Sequence, residues 1–122
     1  MTWAGKTLQE FQAALASDDP TPGGGSAAGV ALGQAAALAV MVSDLTLSKE
    51  SLKEGWSISE RVKEVALPLL DLGLELATQD SQSFDAVVES FRLPKETDEE
   101  KSQRRVAICL LYTSPSPRDL YQ

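Results

Sequence analysis

Few groups in this chain are placed to do chemistry. Asp80 falls at the edge of an apolar helical sector containing Leu69, Leu72, Leu76 and Val87, whereas Asp71, Glu75, Asp85 and Glu89 point elsewhere. A carboxyl group held against apolar neighbours has its charged form disfavoured, so it can carry a proton and donate it, as a general acid must. The competing reading is an aspartate at a stripe edge with no role. Ser83, one turn on, is either its hydrogen-bond partner or a small packing residue.

The second group is a backbone feature, Pro20-Thr21-Pro22-Gly23-Gly24-Gly25-Ser26. Two prolines stiffen the approach, three glycines open the backbone, and Ser26 is a good N-cap for the run that follows. The product is a tight loop that delivers bare N–H groups at a helix N-terminus. Such an end suits a carboxylate, a phosphate or a developing oxyanion. The alternative is a rigid inter-helix turn.

Composition removes most other chemistry. With no histidine, Ser-His-Asp and Cys-His catalysis and histidine metal sites are out, leaving carboxylates, Lys and Tyr for acid–base work. Gly23-x-Gly25-x-x-Ala28 matches a dinucleotide fingerprint in form, but a helix and a Pro-Asp turn precede it where a strand is required. Gly24-Gly25-Ser26-Ala27-Ala28 falls short of a nucleophile elbow, and no Lys follows the glycines as in a P-loop. A net charge of −7, with 18 acidic and 11 basic residues, argues against nucleic acid and anionic membranes as partners. The single cysteine, Cys109, offers no disulfide framework, and the N-terminus lacks a secretory pattern, so a cytoplasmic setting is expected.

The elements that must position these groups are helical. Thr7-Leu8-Gln9-Glu10 is a capping box with Leu8, Phe11 and Leu15 at helical spacing, predicting a first helix over 7–16. The glycine loop then feeds a second helix ending near Leu47. Residues 27–43 are uncharged and rich in Gly and Ala, which makes a thin central helix that neighbours can approach closely. By length this run rivals a membrane span, but Gln34 interrupts it and no aromatic belt or basic flank brackets it. A polar connection over 48–56 leads to a second capping box, Ser57-Ile58-Ser59-Glu60. Beyond it Ile58, Val62, Val65, Leu69, Leu72, Leu76, Ser83 and Val87 share roughly a 60° sector, predicting the core face of a third helix. Leu67, Leu70 and Leu74 form a second apolar patch opposite, as in the middle of a bundle or an oligomer interface. Pro68 should kink this helix without ending it, and Pro94 should stop it near Leu93. Thr97-Asp98-Glu99-Glu100 opens a last helix through about Leu111. Trp3 and Trp56, beside predicted helix starts, are expected to lid the core. Lys49, Lys53, Lys63 and Asp44 are expected on the surface.

The expected fold is all-α, a bundle of about four helices forming an incomplete domain over residues 1–109. From Leu110 to Asp119 the helical pattern stops, and the segment resembles the translated read-through of a sequencing adaptor. On that reading residues 110–122 are a non-native tail, the alternative being an ordinary disordered C-terminus.

Several blocks in order carry a likeness to a known family. Phe11-x-x-x-Leu15-Ala16-Ser17, Pro22-Gly23-Gly24-Gly25-Ser26-Ala27-Ala28, Met41-Val42 with Leu45-Thr46, Asp80-x-x-x-Phe84, and Leu93-Pro94-Lys95-x-Thr97-x-Glu99-Glu100-Lys101-x-x-Arg104 together resemble the formimidoyltetrahydrofolate cyclodeaminase domain. That domain is the C-terminal half of bifunctional formiminotransferase-cyclodeaminase and is similar to stand-alone methenyltetrahydrofolate cyclohydrolases. The resemblance implies an all-helical protein of one-carbon metabolism, acting as a homodimer or higher assembly when complete. It implies a tetrahydrofolate derivative as substrate, without metal or permanently bound cofactor. It places the proton-donating aspartate on Asp80 and the substrate-binding glycine loop on Gly23, Gly24, Gly25 and Ser26. Where the family commonly has a DAEAF-like segment, this chain has Asp80-Ser81-Gln82-Ser83-Phe84, and further long helices of the family domain are missing. A non-catalytic helical interaction domain is the alternative from a different class.

Overall fold

A computed structural model describes residues 2–113, with side chains through Leu111. It contains four α-helices, α1 (Leu8–Leu15), α2 (Gly24–Leu47), α3 (Trp56–Phe91) and α4 (Asp98–Thr113). Short 3-10 turns occupy Trp3–Gly5 and Glu50–Gly55, and no strand occurs among the described residues. The all-α expectation holds.

Helix starts follow their local chemistry. Thr7 caps α1 in a reciprocal box: the Glu10 N–H donates to Thr7 Oγ1 at 3.0 Å and the Thr7 N–H donates to Glu10 Oε2 at 2.9 Å. Thr97 and Glu100 repeat this at α4, at 3.1 and 3.2 Å. The Ser57 box does not form. α3 begins at Trp56 with Gly55 as a cap that has no side chain to offer, because the 3-10 turn carries the chain directly into the helix. α3 then runs through Pro68 for 36 residues, about 54 Å at 1.5 Å per residue.

α2 and α3 pack as an antiparallel hairpin, and this pair is the core. Gly29 lies against Gly73 and Ala77, Gly33 against Leu70 and Gly73, while farther along Lys63 meets Asp44 and Trp56 meets Thr46. The helices touch through backbone: a methyl on Gly29 would sit 2.7 Å from the Gly73 carbonyl oxygen, and one on Gly73 would sit 2.6 Å from that of Gly29. The expectation that a thin second helix admits close neighbours is thereby met. α2 also passes for a membrane span by length and composition, its best window having a mean hydropathy of 1.7; here its glycine face is taken by α3.

The expected core face of α3 is corrected. Ile58 is 65% exposed and Val65 68%, whereas Ser59, Ala66, Gly73, Ala77 and Ser81 are buried. At about 100° per residue the buried seam is rotated roughly 100° from the apolar stripe. Small residues won this face because only they allow the close approach that α2 offers, and the larger apolar side chains were left on the flank. There Leu32, Ala35, Ala36 and Ala39 of α2 and Ile58, Val62, Val65 and Leu69 of α3 line an open trough of about 690 Å³.

Both tryptophans fasten this pair. Trp56 donates its indole N–H to the Thr46 and Lys49 carbonyls at 3.0 and 3.2 Å. Trp3 attaches the N-terminus to α3 and carries α1 with it, its ring meeting Phe11 edge-on with centroids 5.3 Å apart. α4 turns back along the end of α3, where Arg104 Nε donates to the Phe91 carbonyl at 3.2 Å. α4 reaches Thr113, two residues past the expected end; the tail expected over 110–122 falls mostly on residues outside those described.

Candidate functional site

The glycine loop starts α2 earlier than expected. The N-cap is Gly23, not Ser26, and the first intrahelical bond runs from the Ala27 N–H to the Gly23 carbonyl at 3.0 Å. The N–H groups of Gly23, Gly24, Gly25 and Ser26 therefore precede the helical ladder, the four donors that a helix N-terminus leaves without an intrahelical acceptor. The loop ahead of them contains a cis Thr21–Pro22 peptide and is tied to α3 by Thr21 Oγ1, which donates to Asp85 Oδ1 at 2.8 Å.

Ser26 has a different task from capping. Its side chain is fully buried, donates to the Ala77 carbonyl at 2.9 Å, and shares a 2.6 Å hydrogen bond with Ser81 Oγ. Ser81 Oγ also accepts the Trp3 indole N–H at 2.9 Å, and Thr78 Oγ1 accepts the Trp3 backbone N–H at 2.9 Å. One buried hydroxyl pair thus ties the start of α2, the middle of α3 and the N-terminal turn together. The Ser26 hydroxyl is committed to α3 and the whole residue is buried, so of the expected substrate-binding residues only Gly23, Gly24 and Gly25 reach the surface.

Asp80 is half-buried and immediately precedes Ser81. Three residues beyond Ala77 at about 100° each, it projects roughly 60° off the seam, toward the flank that carries Val62 and Leu69. The residue that follows it, Ser81, is the one that meets the first turn of α2. Ser83 is exposed and belongs to the apolar flank, not the seam.

Other sequence candidates lie elsewhere. Asp44 and Lys63 pair at 2.6 Å near the opposite end of α2, a surface ion pair of the kind that contributes about 0.2–1 kcal/mol. Lys49 and Lys53 sit on or beside the second 3-10 turn, also at that end. Sequence reasoning missed Ser81, Thr78 and Trp3 as the residues that fix the loop. The signal was present in the spacing Gly73, Ala77, Ser81, small residues repeating every four positions on one helix face.

Comparison with known proteins gives the blocks that surround this site a common origin. The profile of formiminotransferase-cyclodeaminase matches residues 7–113, nearly the whole described chain. The chain belongs to the formiminotransferase-cyclodeaminase family. Within it, the chain is 39% identical over 103 residues to a methenyltetrahydrofolate cyclohydrolase of Methylorubrum extorquens, covering 84% of this chain and 50% of that protein. It is 33% identical over 103 residues to the formimidoyltransferase-cyclodeaminase of Gallus gallus and 27% over 106 residues to that of Sus scrofa, covering 84% of this chain and 19% of each. The chain thus spans about half the length of the bacterial relative and about a fifth of the vertebrate ones. Family membership accords with the all-helical architecture and with the order of the motifs from the glycine loop to the Leu93-Pro94-Lys95 turn.

Proposed function

We propose that the protein acts on a tetrahydrofolate bearing a one-carbon unit, that it opens or closes the ring across N5 and N10, and that Asp80 supplies the proton the departing nitrogen needs. The observation that supports this reading is the Ser26–Ser81 hydrogen bond at 2.6 Å, which joins the glycine loop to the residue that follows Asp80 in a chain of this family.

In the hydrolytic direction, water adds to the carbon bridging N5 and N10 of a methenyltetrahydrofolate and loses a proton. Cleavage of the carbon–N5 bond, with loss of the remaining hydroxyl proton, then leaves the carbon on N10 as a formyl group, and N5 takes up a proton as it departs. In the deaminating direction, N10 attacks a formimino carbon held on N5, and the former imino nitrogen leaves as ammonia once protonated. Both routes require an acid at a departing nitrogen, and Asp80 is that acid. The N–H groups of Gly23, Gly24 and Gly25 hold a carboxylate of the folate tail or polarise the reacting centre. The 39% identity to a stand-alone cyclohydrolase, against 33% to the chicken bifunctional protein, favours hydrolysis; deamination is the second reading. The reading includes a cytoplasmic protein and a homo-oligomer, in which the exposed Ile58, Val62 and Val65 flank would find apolar cover.

The test places residues 7–113 in the Methylorubrum cyclohydrolase in exchange for its matching segment and follows both methenyltetrahydrofolate consumption and ammonia release. Activity in the hybrid with a loss of at least about 100-fold in kcat for Asp80→Asn is the expected result. Full activity in Asp80→Asn removes that residue from the mechanism. An inert but folded hybrid favours a non-catalytic helical module.

A further inference from the structure

The chain has a formal charge of −7, yet four of its 11 cations, Lys95, Lys101, Arg104 and Arg105, contribute to the wall of one cavity. It occupies about 350 Å³ at the elbow between α3 and α4, with Ile108 and Cys109 completing the wall. Lys101, Arg104, Arg105 and Ile108 follow the i, i+3, i+4, i+7 spacing, so a single face of α4 presents them, and Lys95 comes from the preceding turn. Like charges so placed repel one another, and a solvated helix face of an acidic protein would ordinarily intersperse carboxylates.

Among the described residues no carboxylate lines this cavity. Glu96, Asp98, Glu99 and Glu100 are close in sequence but stay out of its wall, and Glu100 Oε2 is engaged in accepting the Glu96 and Thr97 N–H groups. Among the described residues the ion pairs are Lys63–Asp44 and Arg92–Glu89, so none of the four cavity cations is neutralised. Arg104 is also held in place: its Nε donates to the Phe91 carbonyl and its guanidinium carbon lies 5.4 Å from the centre of the Phe91 ring. That fixes the plane of the guanidinium while leaving both terminal nitrogens for a bidentate partner.

We infer that the α3–α4 elbow is a binding site for a small anion with several adjacent negative oxygens, on carboxylates or on phosphates. Arg104 grips one group through its fork, and Lys95, Lys101 and Arg105 neutralise the rest. The site is separate from the Asp80 region, and its test uses no folate, so it stands or falls independently of the proposed reaction.

Isothermal titration calorimetry of the chain at low ionic strength, with citrate, pyrophosphate and acetate, tests this. Saturable binding of citrate or of pyrophosphate, at least about tenfold tighter than acetate, is expected, and which of the two is tighter identifies the carboxylate or the phosphate source. The double variant K95E/R105E should weaken that binding at least tenfold with unchanged helical circular dichroism, while K49E/K53E at the opposite end of the hairpin should not. If K95E/R105E loses helix, R105Q takes its place and should weaken binding in the same sense. Absence of saturable binding to both polyanions, or binding unaffected by these substitutions at the cavity, overturns the inference.

Discussion

Substituting Gly29 by Ala tests whether the hairpin is held by backbone contact. The new methyl would lie 2.7 Å from the Gly73 carbonyl oxygen and 2.8 Å from the Ala77 backbone nitrogen, about 0.7 Å inside an ordinary 3.4 Å contact. Both obstacles are main-chain atoms in the middle of a helix, so neither can rotate away. Intrinsic helix propensity favours Ala over Gly by about 1 kcal/mol, and overpacking a close contact costs about 1–3 kcal/mol. The Ser26–Ser81 bond lies one turn away and lengthens if the helices part. That lost bond adds about 1 kcal/mol to the penalty. A net loss of about 1–3 kcal/mol follows, seen as a fall in Tm of roughly 5–15 °C by far-ultraviolet circular dichroism. Gly24→Ala is the control: a methyl there meets nothing within 4 Å, so its stability should match or exceed that of the parent. If Gly29→Ala is as stable as Gly24→Ala, the hairpin is not built on this close approach and the account of the core fails.

Other substitutions probe separate joints. Ser26→Ala should cost about 1–2 kcal/mol in thermal or denaturant unfolding, because the Ala77 carbonyl and Ser81 hydroxyl lose a buried partner. Thr97→Ala should destabilise α4 by about 1 kcal/mol, whereas Ser57→Ala should change stability by less than about 0.5 kcal/mol, since only the first side chain caps a helix. I58K/V65K should leave helix content intact while shifting sedimentation toward smaller species, because both side chains stand exposed on the apolar flank.

Much of the architecture was legible in the sequence because local rules dictated it. The Thr7 and Thr97 boxes, the glycine loop and the passage of α3 through Pro68 each depend on a few neighbouring residues. The orientation of α3 was not legible, since the apolar stripe from Ile58 to Val87 is the stronger periodic signal. What decided the packing was a relation between two distant segments, the glycines of α2 facing Gly73, which a single-helix pattern cannot express. Ser26 failed as a cap for a related reason. With three glycines ahead of it the helix begins at Gly24, and the hydroxyl is carried inside to meet Ser81. Asp80 was legible only as a carboxylate at the margin of a helix face; that its neighbour in sequence bonds Ser26 emerged from the fold.

The glycine, alanine and serine joint between the two long helices has a calorimetric consequence. Side chains this short have few rotamers to freeze, so joining the helices sacrifices little motional freedom beyond that of the backbone. They also hide little hydrocarbon from water, and it is newly wetted hydrocarbon that gives unfolding its large heat-capacity increment. The hairpin should therefore melt with an unusually small increment for its length, and its stability should vary only gently between cold and warm conditions.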